Sequence, residues 1–281
     1  MSKALVIGNG KSRAWFKPCH QTIMDDDVVT WGCNAIYREG PVDNLVAMDN
    51  AMKYEIHESG YPKKHKCWFT SWSFIDSTVV PIIKMDLGVP EYFIHENENK
   101  TPSCVIHEYK SNKLQGLVDE ILQEHPKYTM DDIKNHLISK DFKYKDAGYW
   151  ISYVSEEDNI KSVDEEFHSA GCMAVSLACK EGAKEVYMIG FDLHNADSVY
   201  QGTNAYMLEN TKFTDNSKEQ LLSSWIKCLS SVFDKYKGVM FYWVDCQITG
   251  VSSWHGSTVK DYHSNVRFLT KNQLCDTIKI L

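Results

Sequence analysis

The sequence predicts an α/β fold with a Rossmann-like, mostly parallel sheet. Short runs that are apolar at nearly every position recur along the chain, starting with residues 4–7, and helical or turn segments separate them. Strands of this kind are covered on both faces, as in a parallel sheet with helices on each side. A second observation is that the chain breaks at glycine or at Asn and Asp where these runs end, as expected for strand-to-helix turns.

The predicted elements follow in this order. Strands are expected at residues 4–7, 28–33, 44–48, 67–72, 185–190 and 239–244. Ser12 is expected to cap a helix that carries Trp15 and Phe16, and a helix with Met52 and Ile56 follows the third strand. A helix rich in small residues begins after Ser169 and ends near Gly182, and a further helix covers residues 221–233.

Residues 96–166 differ from the rest of the chain. Charged residues are dense there, and the apolar residues recur at helical spacing. We therefore expect a single α/β nucleotide-binding domain over residues 1–281, with a helical lid inserted at 96–166.

Composition excludes several classes of protein. The chain has 281 residues, of which 43% are hydrophobic, so it can bury a sizeable core. Its net charge of −8 argues against a protein that holds nucleic acid by bulk charge. No apolar stretch or leader suggests a membrane segment or secretion, and the nine cysteines form no C-x-x-C pair. We expect a cytoplasmic protein with reduced thiols and no membrane association.

A glycine turn follows the first predicted strand. Gly8, Gly10 and Ser12 stand where that strand leads into a helix, and such a turn lets backbone N–H groups approach a phosphate or ribose. The turn is neither a Rossmann fingerprint, because Arg13 occupies the third glycine position, nor a Walker A loop. The alternative interpretation is a tight turn that needs glycine for a positive φ.

Polar side chains also follow successive predicted strands. In a parallel sheet the carboxyl ends of the strands share one edge, where ligands bind. Each of these residues could instead cap a helix or form a turn, but five in one register favour a shared cleft. They are Asn9, Asn34, Asp49, Asp192 and Asp245.

No metal site is predicted. The acidic run at residues 25–27 precedes a strand, so it falls on the opposite edge from the cleft. The histidines lack the spacing of zinc ligands.

Four blocks of the sequence resemble known families. VIGNGKS, WGCNAIYRE, LVAMD and SAGCMAVSLACKEGAKEVYMIGFDL are similar to blocks of the bacterial family-42 sialyltransferases and of the 6-hydroxymethylpterin diphosphokinase-like proteins. The arrangement is also similar to uncharacterised proteins of large tailed phages, which would place the protein in the host cytoplasm. The blocks cover a minority of the chain.

The sialyltransferase resemblance implies roles for individual residues. It implies donor contacts for Gly8, Asn9, Gly10, Asn34, Ser169 and Gly171. It also implies a leaving-group tyrosine at Tyr200, whereas the family's first such tyrosine falls on His194. The stretch that supplies the family's base holds no histidine here, so the candidate bases are His194, Asp192 and His255. Ser12 and Asp49 complete the predicted donor site.

These observations predict a glycosyltransferase with a nucleotide-sugar donor and no required metal cofactor. One alternative is a pyrophosphoryl transferase that uses ATP and magnesium, and another is a nucleotide-binding module without catalysis. The acceptor hydroxyl could belong to a glycan, a metabolite or a hydroxylated DNA base. For DNA, residues 254–271 offer a local basic patch with Lys260, His263 and Arg267.

Overall fold

The computed structural model describes most of the chain. The described residues are 2–70, 72–76, 103–108, 120–129, 132–133, 135–136, 149–153, 158–164, 166–192, 206, 215–244 and 263–281. Several residues that the sequence singles out lie outside these ranges, namely His194, Tyr200, Asp245, His255 and Lys260.

Eleven strands lie within the described ranges. They are β1 (Lys3–Ile7), β2 (Val28–Cys33), β3 (Asn44–Ala47), β4 (Lys66–Thr70), β5 (Trp72–Asp76), β6 (Ser103–Glu108), β7 (Tyr149–Tyr153), β8 (Ile160–Val163), β9 (Glu185–Ile189), β10 (Met240–Val244) and β11 (Val266–Leu269). The helices that accompany them include α1 (Asn50–Glu58), α2 (Ala170–Lys180), α3 (Asp215–Lys235) and α4 (Lys271–Ile278).

The larger sheet confirms the predicted α/β, Rossmann-like fold. Its eight strands have the order β11-β10-β9-β1-β2-β3-β4-β8. The pairings from β11 to β3 in this order are all parallel. Strand β1 lies between β2 and β9, so the strands that follow it in sequence are added on one side of β1 up to β3 and β4, and on the other side from β9 onwards. The strand order therefore reverses at β1. Such a reversal is the point at which open α/β sheets bind ligands.

Small side chains let α2 pack closely on this sheet. The helix contacts β1, β2, β3 and β9, and its residues from Cys172 to Cys179 are all buried. It ends before Gly182, which has a φ of 99° and therefore occupies the left-handed position expected after a helix. Burial raises the pKa of the Cys172 thiol to about 12, in keeping with an unreactive core cysteine.

The chain divides into two compact units. The first comprises Met1–Ala47, His65–Cys67 and Glu165–Leu281, and the second comprises Met48–Lys64 and Trp68–Asp164. The described residues of the second unit include α1, β8 and a separate antiparallel sheet with the order β5-β6-β7. Two strands of that sheet, β6 and β7, lie within the predicted lid at 96–166, where residues 120–124 are helical. The single-domain division with an inserted lid stays a prediction.

A buried lysine helps to hold the second unit together. Lys53 of α1 is fully buried, and its Nζ donates to the carbonyl oxygen of Thr70 at 2.6 Å. His57, one turn further along α1, lies 3.5 Å from the Asp158 carboxylate. The same face of α1 therefore carries two polar contacts to other parts of this unit.

One predicted helix is wrong. Residues Lys11–Arg13 form a single 3-10 turn instead of a helix through Trp15 and Phe16, because contacts to the segment after β9 hold the chain at this point. A strand and a helix at the end of the chain, β11 and α4, were not predicted. Within the described ranges, no helix is long and apolar enough to cross a membrane.

Candidate functional site

The glycine turn after β1 is hydrogen-bonded to the last residue of β9 and to the segment that follows it. The N–H of Gly8 donates to the carbonyl oxygen of Ile189, and the N–H of Gly10 donates to that of Gly190, both at 2.8 Å. These bonds continue the β1–β9 pairing beyond the sheet. The turn therefore lies at the reversal of strand order, and two of its N–H groups are already donated within the protein.

Close packing explains the two glycines. A Cβ atom on Gly8 would lie 2.5 Å from the Gly190 carbonyl oxygen, and one on Gly10 would lie 2.6 Å from the same oxygen. Gly10 has a φ of −69°, which any residue can adopt. A positive φ occurs instead at Gly190, where it is 70°. The glycines at 8 and 10 are therefore required by the backbone that faces them, and not by a special backbone conformation.

Asp192 completes this junction. Its carboxylate accepts a hydrogen bond from the backbone N–H of Ser12 at 3.0 Å and another from the Ser12 hydroxyl. The carboxylate thus occupies the N-terminal end of the 3-10 turn, the position that a ligand phosphate would take in a phosphate-binding turn. The structure brings the predicted residues Gly10, Ser12 and Asp192 together, with Asp192 bonded to the turn itself.

Asn9 and Asn34 differ from these residues because their amide oxygens have no partner. Asn9 follows β1 and Asn34 follows the neighbouring parallel strand β2. The Oδ1 atom of each is buried and accepts no hydrogen bond from any described residue. A buried polar atom left without a hydrogen bond costs about 1–3 kcal/mol. Two such acceptors lie at the carboxyl ends of adjacent strands, where they are available to the hydrogen-bond donors of a ligand.

Asn34 also has an unusual backbone conformation. Its φ is 51°, in the left-handed region that glycine adopts most readily and asparagine tolerates. The only other described residue besides glycine with a positive φ is Lys279. A strained backbone and an unpaired buried oxygen in the same residue are typical of a functional position.

Arg13 is a central residue of the site that the sequence interpretation missed. Its side chain is buried and forms an ion pair with Glu39, with Nη1 to Oε2 at 2.9 Å and Nη2 to Oε1 at 3.1 Å. The Tyr206 hydroxyl accepts from Arg13 Nη2 at 2.8 Å and donates to Glu39 Oε1 at 2.6 Å. Composition does not distinguish a buried arginine from an exposed one. The presence of Arg13 at the third glycine position of a Rossmann fingerprint was nevertheless a signal in the sequence that this residue has a special role.

The charges in this cluster stabilise one another. Burial alone would raise the pKa of Glu39, but the hydrogen bonds from Arg13 and Tyr206 outweigh burial and hold that pKa below its usual value. Burial and the hydrogen bond to Glu39 raise the pKa of the Tyr206 hydroxyl, which therefore stays protonated. The cluster is a carboxylate, a guanidinium and a neutral phenol at neutral pH.

The N-terminus of α2 approaches the same junction. A Cβ atom on Gly171 would lie 3.2 Å from the Phe191 ring, and one on Gly8 would lie 3.2 Å from another atom of that ring. Phe191 therefore lies between the glycine turn and α2. Ser169 is the residue before α2, and its side chain forms no hydrogen bond to the helix N–H groups. The predicted residues Ser169 and Gly171 are thus near the turn, while their donor contacts stay predictions.

Other predicted residues are less connected to this site. Asp49 is exposed at the start of α1 in the second unit, and its side chain forms no cap hydrogen bond. The catalytic candidates His194, Tyr200 and His255 lie outside the described residues, so their roles stay predictions. In the part of the chain that the structure describes, no group of three metal-ligating side chains is found.

One residue of the predicted basic patch is buried. His263 is 6% exposed, and its Nε2 lies 2.6 Å from the Ser230 hydroxyl of α3. Arg267 is exposed, but it belongs to β11 and donates to two nearby carbonyl oxygens. His263 cannot contact DNA from this position, which leaves the patch smaller than predicted.

The fold and this site define a class of protein: a Rossmann-like α/β protein with buried amide acceptors at the carboxyl ends of its central parallel strands. No protein-family model matches the chain, and no curated protein matches it. Two solved structures of the sialyltransferase CstII from Campylobacter jejuni match it. The structure with the substrate analogue CMP-3FNeuAc has a TM-score of 0.34 and 13% identity, covering 86% of this chain and 80% of the other. The structure with cytidine-5′-monophosphate has a TM-score of 0.34 and 14% identity, covering 94% of this chain and 84% of the other.

Proposed function

We propose that the protein is a glycosyltransferase that moves a sugar from a nucleotide-activated donor to an acceptor hydroxyl. The observation that carries the nucleotide part is the pair of unpaired, buried amide oxygens of Asn9 and Asn34. An amide oxygen accepts hydrogen bonds from ribose hydroxyls and from exocyclic amino groups of bases. Bound nucleotide would satisfy both oxygens and remove their desolvation cost.

The backbone of the turn has a different role in this proposal. Three of its N–H groups, those of Gly8, Gly10 and Ser12, are donated to Ile189 at the end of β9 and to Gly190 and Asp192 after it. We therefore assign the contacts to the nucleotide-sugar donor to the side chains of Asn9 and Asn34. The backbone of the turn positions Asn9. Phosphate contacts by Ser169 and Gly171 at the N-terminus of α2 remain part of the proposal.

Sugar transfer is supported by the four sequence blocks that resemble the family-42 sialyltransferases. A sugar–phosphate bond already has a good leaving group, so catalysis needs donor positioning, stabilisation of the departing phosphate and a base for the acceptor. Tyr200 and His194 are proposed to stabilise the phosphate. Because the Asp192 carboxylate accepts two hydrogen bonds from Ser12, His194 and His255 are better candidates for the base.

Calorimetry with nucleotides tests the proposal directly. CMP, UMP, GMP, AMP and their available sugar conjugates are titrated into the parent protein, Asn9→Ala, Asn34→Ala and the control Asn272→Ala. We call Asn9 and Asn34, at the carboxyl ends of β1 and β2, the rim asparagines. We expect the parent to bind one nucleotide class, and each of the two rim variants, Asn9→Ala and Asn34→Ala, to lose roughly 1–3 kcal/mol of binding free energy. Asn272 is exposed on α4, so its variant is expected to bind like the parent.

Turnover separates the proposed reaction from the alternatives. Release of free nucleotide from a nucleotide sugar in the presence of glycan, metabolite or hydroxylated-DNA acceptors supports glycosyl transfer. Formation of AMP from ATP with magnesium would instead indicate pyrophosphoryl transfer. A parent protein that binds no nucleotide, or rim variants with unchanged affinity, would show that this site is not the donor site.

A further inference from the structure

The Arg13 side chain joins the two loops that carry the rim asparagines. Its Nε donates to the carbonyl oxygen of Gly8 at 2.6 Å, and Gly8 is the residue immediately before Asn9. Its Nη1 donates to the carbonyl oxygen of Phe16 at 3.3 Å. Within the loop after β1, Arg13 therefore fixes the backbone on either side of its own position.

The same guanidinium reaches the second loop through Glu39. The 3-10 turn Asn34–Glu39 begins with the second rim asparagine and ends with the carboxylate that receives both terminal nitrogens of Arg13. The Tyr206 hydroxyl bonds to both members of this ion pair. A guanidinium has five N–H groups, and the five contacts to Gly8, Phe16, Tyr206 and the two Glu39 oxygens match that number.

We infer that Arg13 is a positioning residue that sets the separation and orientation of Asn9 and Asn34, with Glu39 and Tyr206 holding its guanidinium in place. The inference rests on the proposed function for its consequence, which is nucleotide affinity. Lysine keeps the charge but has one nitrogen, so it cannot contact both loops and the phenol together. Planarity, and not charge alone, is therefore the property that the site requires at residue 13.

Two variants with different severity test the inference. Arg13→Lys removes the planar fork, and Tyr206→Phe removes only one hydroxyl from the cluster, so it is the milder change. Tyr236→Phe is the matched control, because the Tyr236 hydroxyl lies 3.3 Å from the Ser176 hydroxyl, outside the cluster. Thermal unfolding is measured for each variant so that binding is compared among folded proteins.

The first readout needs no ligand. Side-chain amide signals of Asn9 and Asn34 are assigned by NMR in the parent and followed in each variant. We expect both signals to shift in Arg13→Lys and in Tyr206→Phe, and to stay in place in Tyr236→Phe. Unchanged amide signals in folded Arg13→Lys, or in Tyr206→Phe if the lysine variant does not fold, would overturn the inference.

The second readout is nucleotide affinity. Arg13→Lys is expected to weaken binding by roughly tenfold and Tyr206→Phe by about threefold, the scale of one or a fraction of one charged hydrogen bond. Asn34→Ala should then reduce nucleotide affinity less in the Arg13→Lys protein than in the parent, because a misplaced Asn34 contributes less to binding. A purely structural arginine would leave the two effects additive, and additivity would overturn the inference.

The two readouts distinguish failure of the inference from failure of the proposed function. If the parent binds no nucleotide while the amide signals respond to Arg13→Lys, then the proposed function is wrong and the positioning role stands. If Asn34→Ala loses affinity while Arg13→Lys binds like the parent, then the donor site stands and the positioning role is wrong.

Discussion

Ser12 and Asp192 are 180 residues apart in the sequence, yet the backbone N–H and the hydroxyl of Ser12 both donate to the Asp192 carboxylate. This pair closes the junction between the loop after β1 and the segment after β9. It also directs an acidic side chain to the end of a turn that resembles a phosphate-binding turn. The polar atoms left without a partner at this edge of the sheet are the amide oxygens of Asn9 and Asn34, to which we assign the donor contacts under the proposed function.

Close packing at this junction predicts the effect of adding one methyl group. Gly10→Ala would place a Cβ 2.6 Å from the Gly190 carbonyl oxygen and even closer to the Asp192 carboxyl. We expect a loss of about 1–3 kcal/mol in the free energy of unfolding, measured by urea denaturation. Gly238→Ala is the control because no atom lies within 4 Å of its Cβ, and it should be neutral or slightly stabilising. Equal denaturation midpoints for the two variants would contradict the described junction.

Replacing Asn34 by glycine is predicted to raise the stability of the free protein and to weaken nucleotide binding. Glycine adopts a φ of 51° without strain and leaves no unpaired oxygen, so Asn34→Gly should stabilise the free protein by about 1 kcal/mol. The same change should weaken nucleotide binding as much as Asn34→Ala does. Thermal unfolding with and without nucleotide measures both effects. An Asn34→Gly protein less stable than Asn34→Ala would mean that backbone strain at this position is not significant.

The free energy of unfolding at acid pH should depend on the ionisation of Glu39. Because its folded-state pKa lies below the unfolded value, Glu39 stabilises the protein fully above about pH 4.3, and this stabilisation is lost as the pH falls through the folded-state pKa. At pH 7, Glu39→Gln leaves buried Arg13 without its partner and should cost about 3 kcal/mol.

Chemical denaturation from pH 7 down to pH 3 checks this prediction. The difference between the parent and Glu39→Gln should narrow below about pH 4, since other carboxylates titrate alike in both proteins and cancel. A difference that stays constant over this range would mean that the charge of Glu39 contributes little.

Sugar transfer should persist after treatment with EDTA. The Asp192 carboxylate is engaged by Ser12, so we expect charge on the leaving phosphate to be met by side-chain donors such as Tyr200 and His194. The measurement is nucleotide release before and after chelation and dialysis. Activity that is lost on chelation and restored by magnesium or manganese would favour the pyrophosphoryl-transfer alternative or a metal-dependent glycosyltransferase.

Five strands of the large sheet, β1, β2, β3, β9 and β10, were predictable because most of their residues are apolar and buried. The predicted strand at residues 28–33 has the observed bounds of β2, and the strands at 4–7, 44–48, 185–190 and 239–244 differ from the observed ones by one residue at an end. Continuous apolar runs identify such strands without knowledge of their partners. The loss of the helix after Ser12 was not predictable, because Gly190 and Asp192 shape that segment from far along the chain.

The end of the chain contained a signal that was missed. Thr270 and Gln273 form a capping box at the start of α4, and this pattern is readable in sequence. Interpreting residues 254–271 as a basic patch obscured both this helix and β11. Strand position alone predicted Asn9, Asn34 and Asp192 at the strand ends, whereas the contacts of Arg13 and Glu39 depend on burial, which appears only when the two loops meet.

The position of β1 in the sheet also has a consequence for how the protein folds. Ile7 pairs with Gly32 on one side and with Ile189 on the other. The β2 side can form early, but the β9 side stays open until the chain has been synthesised to about residue 189. A growing chain therefore presents an apolar strand edge during most of its synthesis, and such edges favour association with other chains. Closing a parallel pair over so long a loop also predicts slow folding in vitro, with temperature and chain concentration deciding between folding and aggregation.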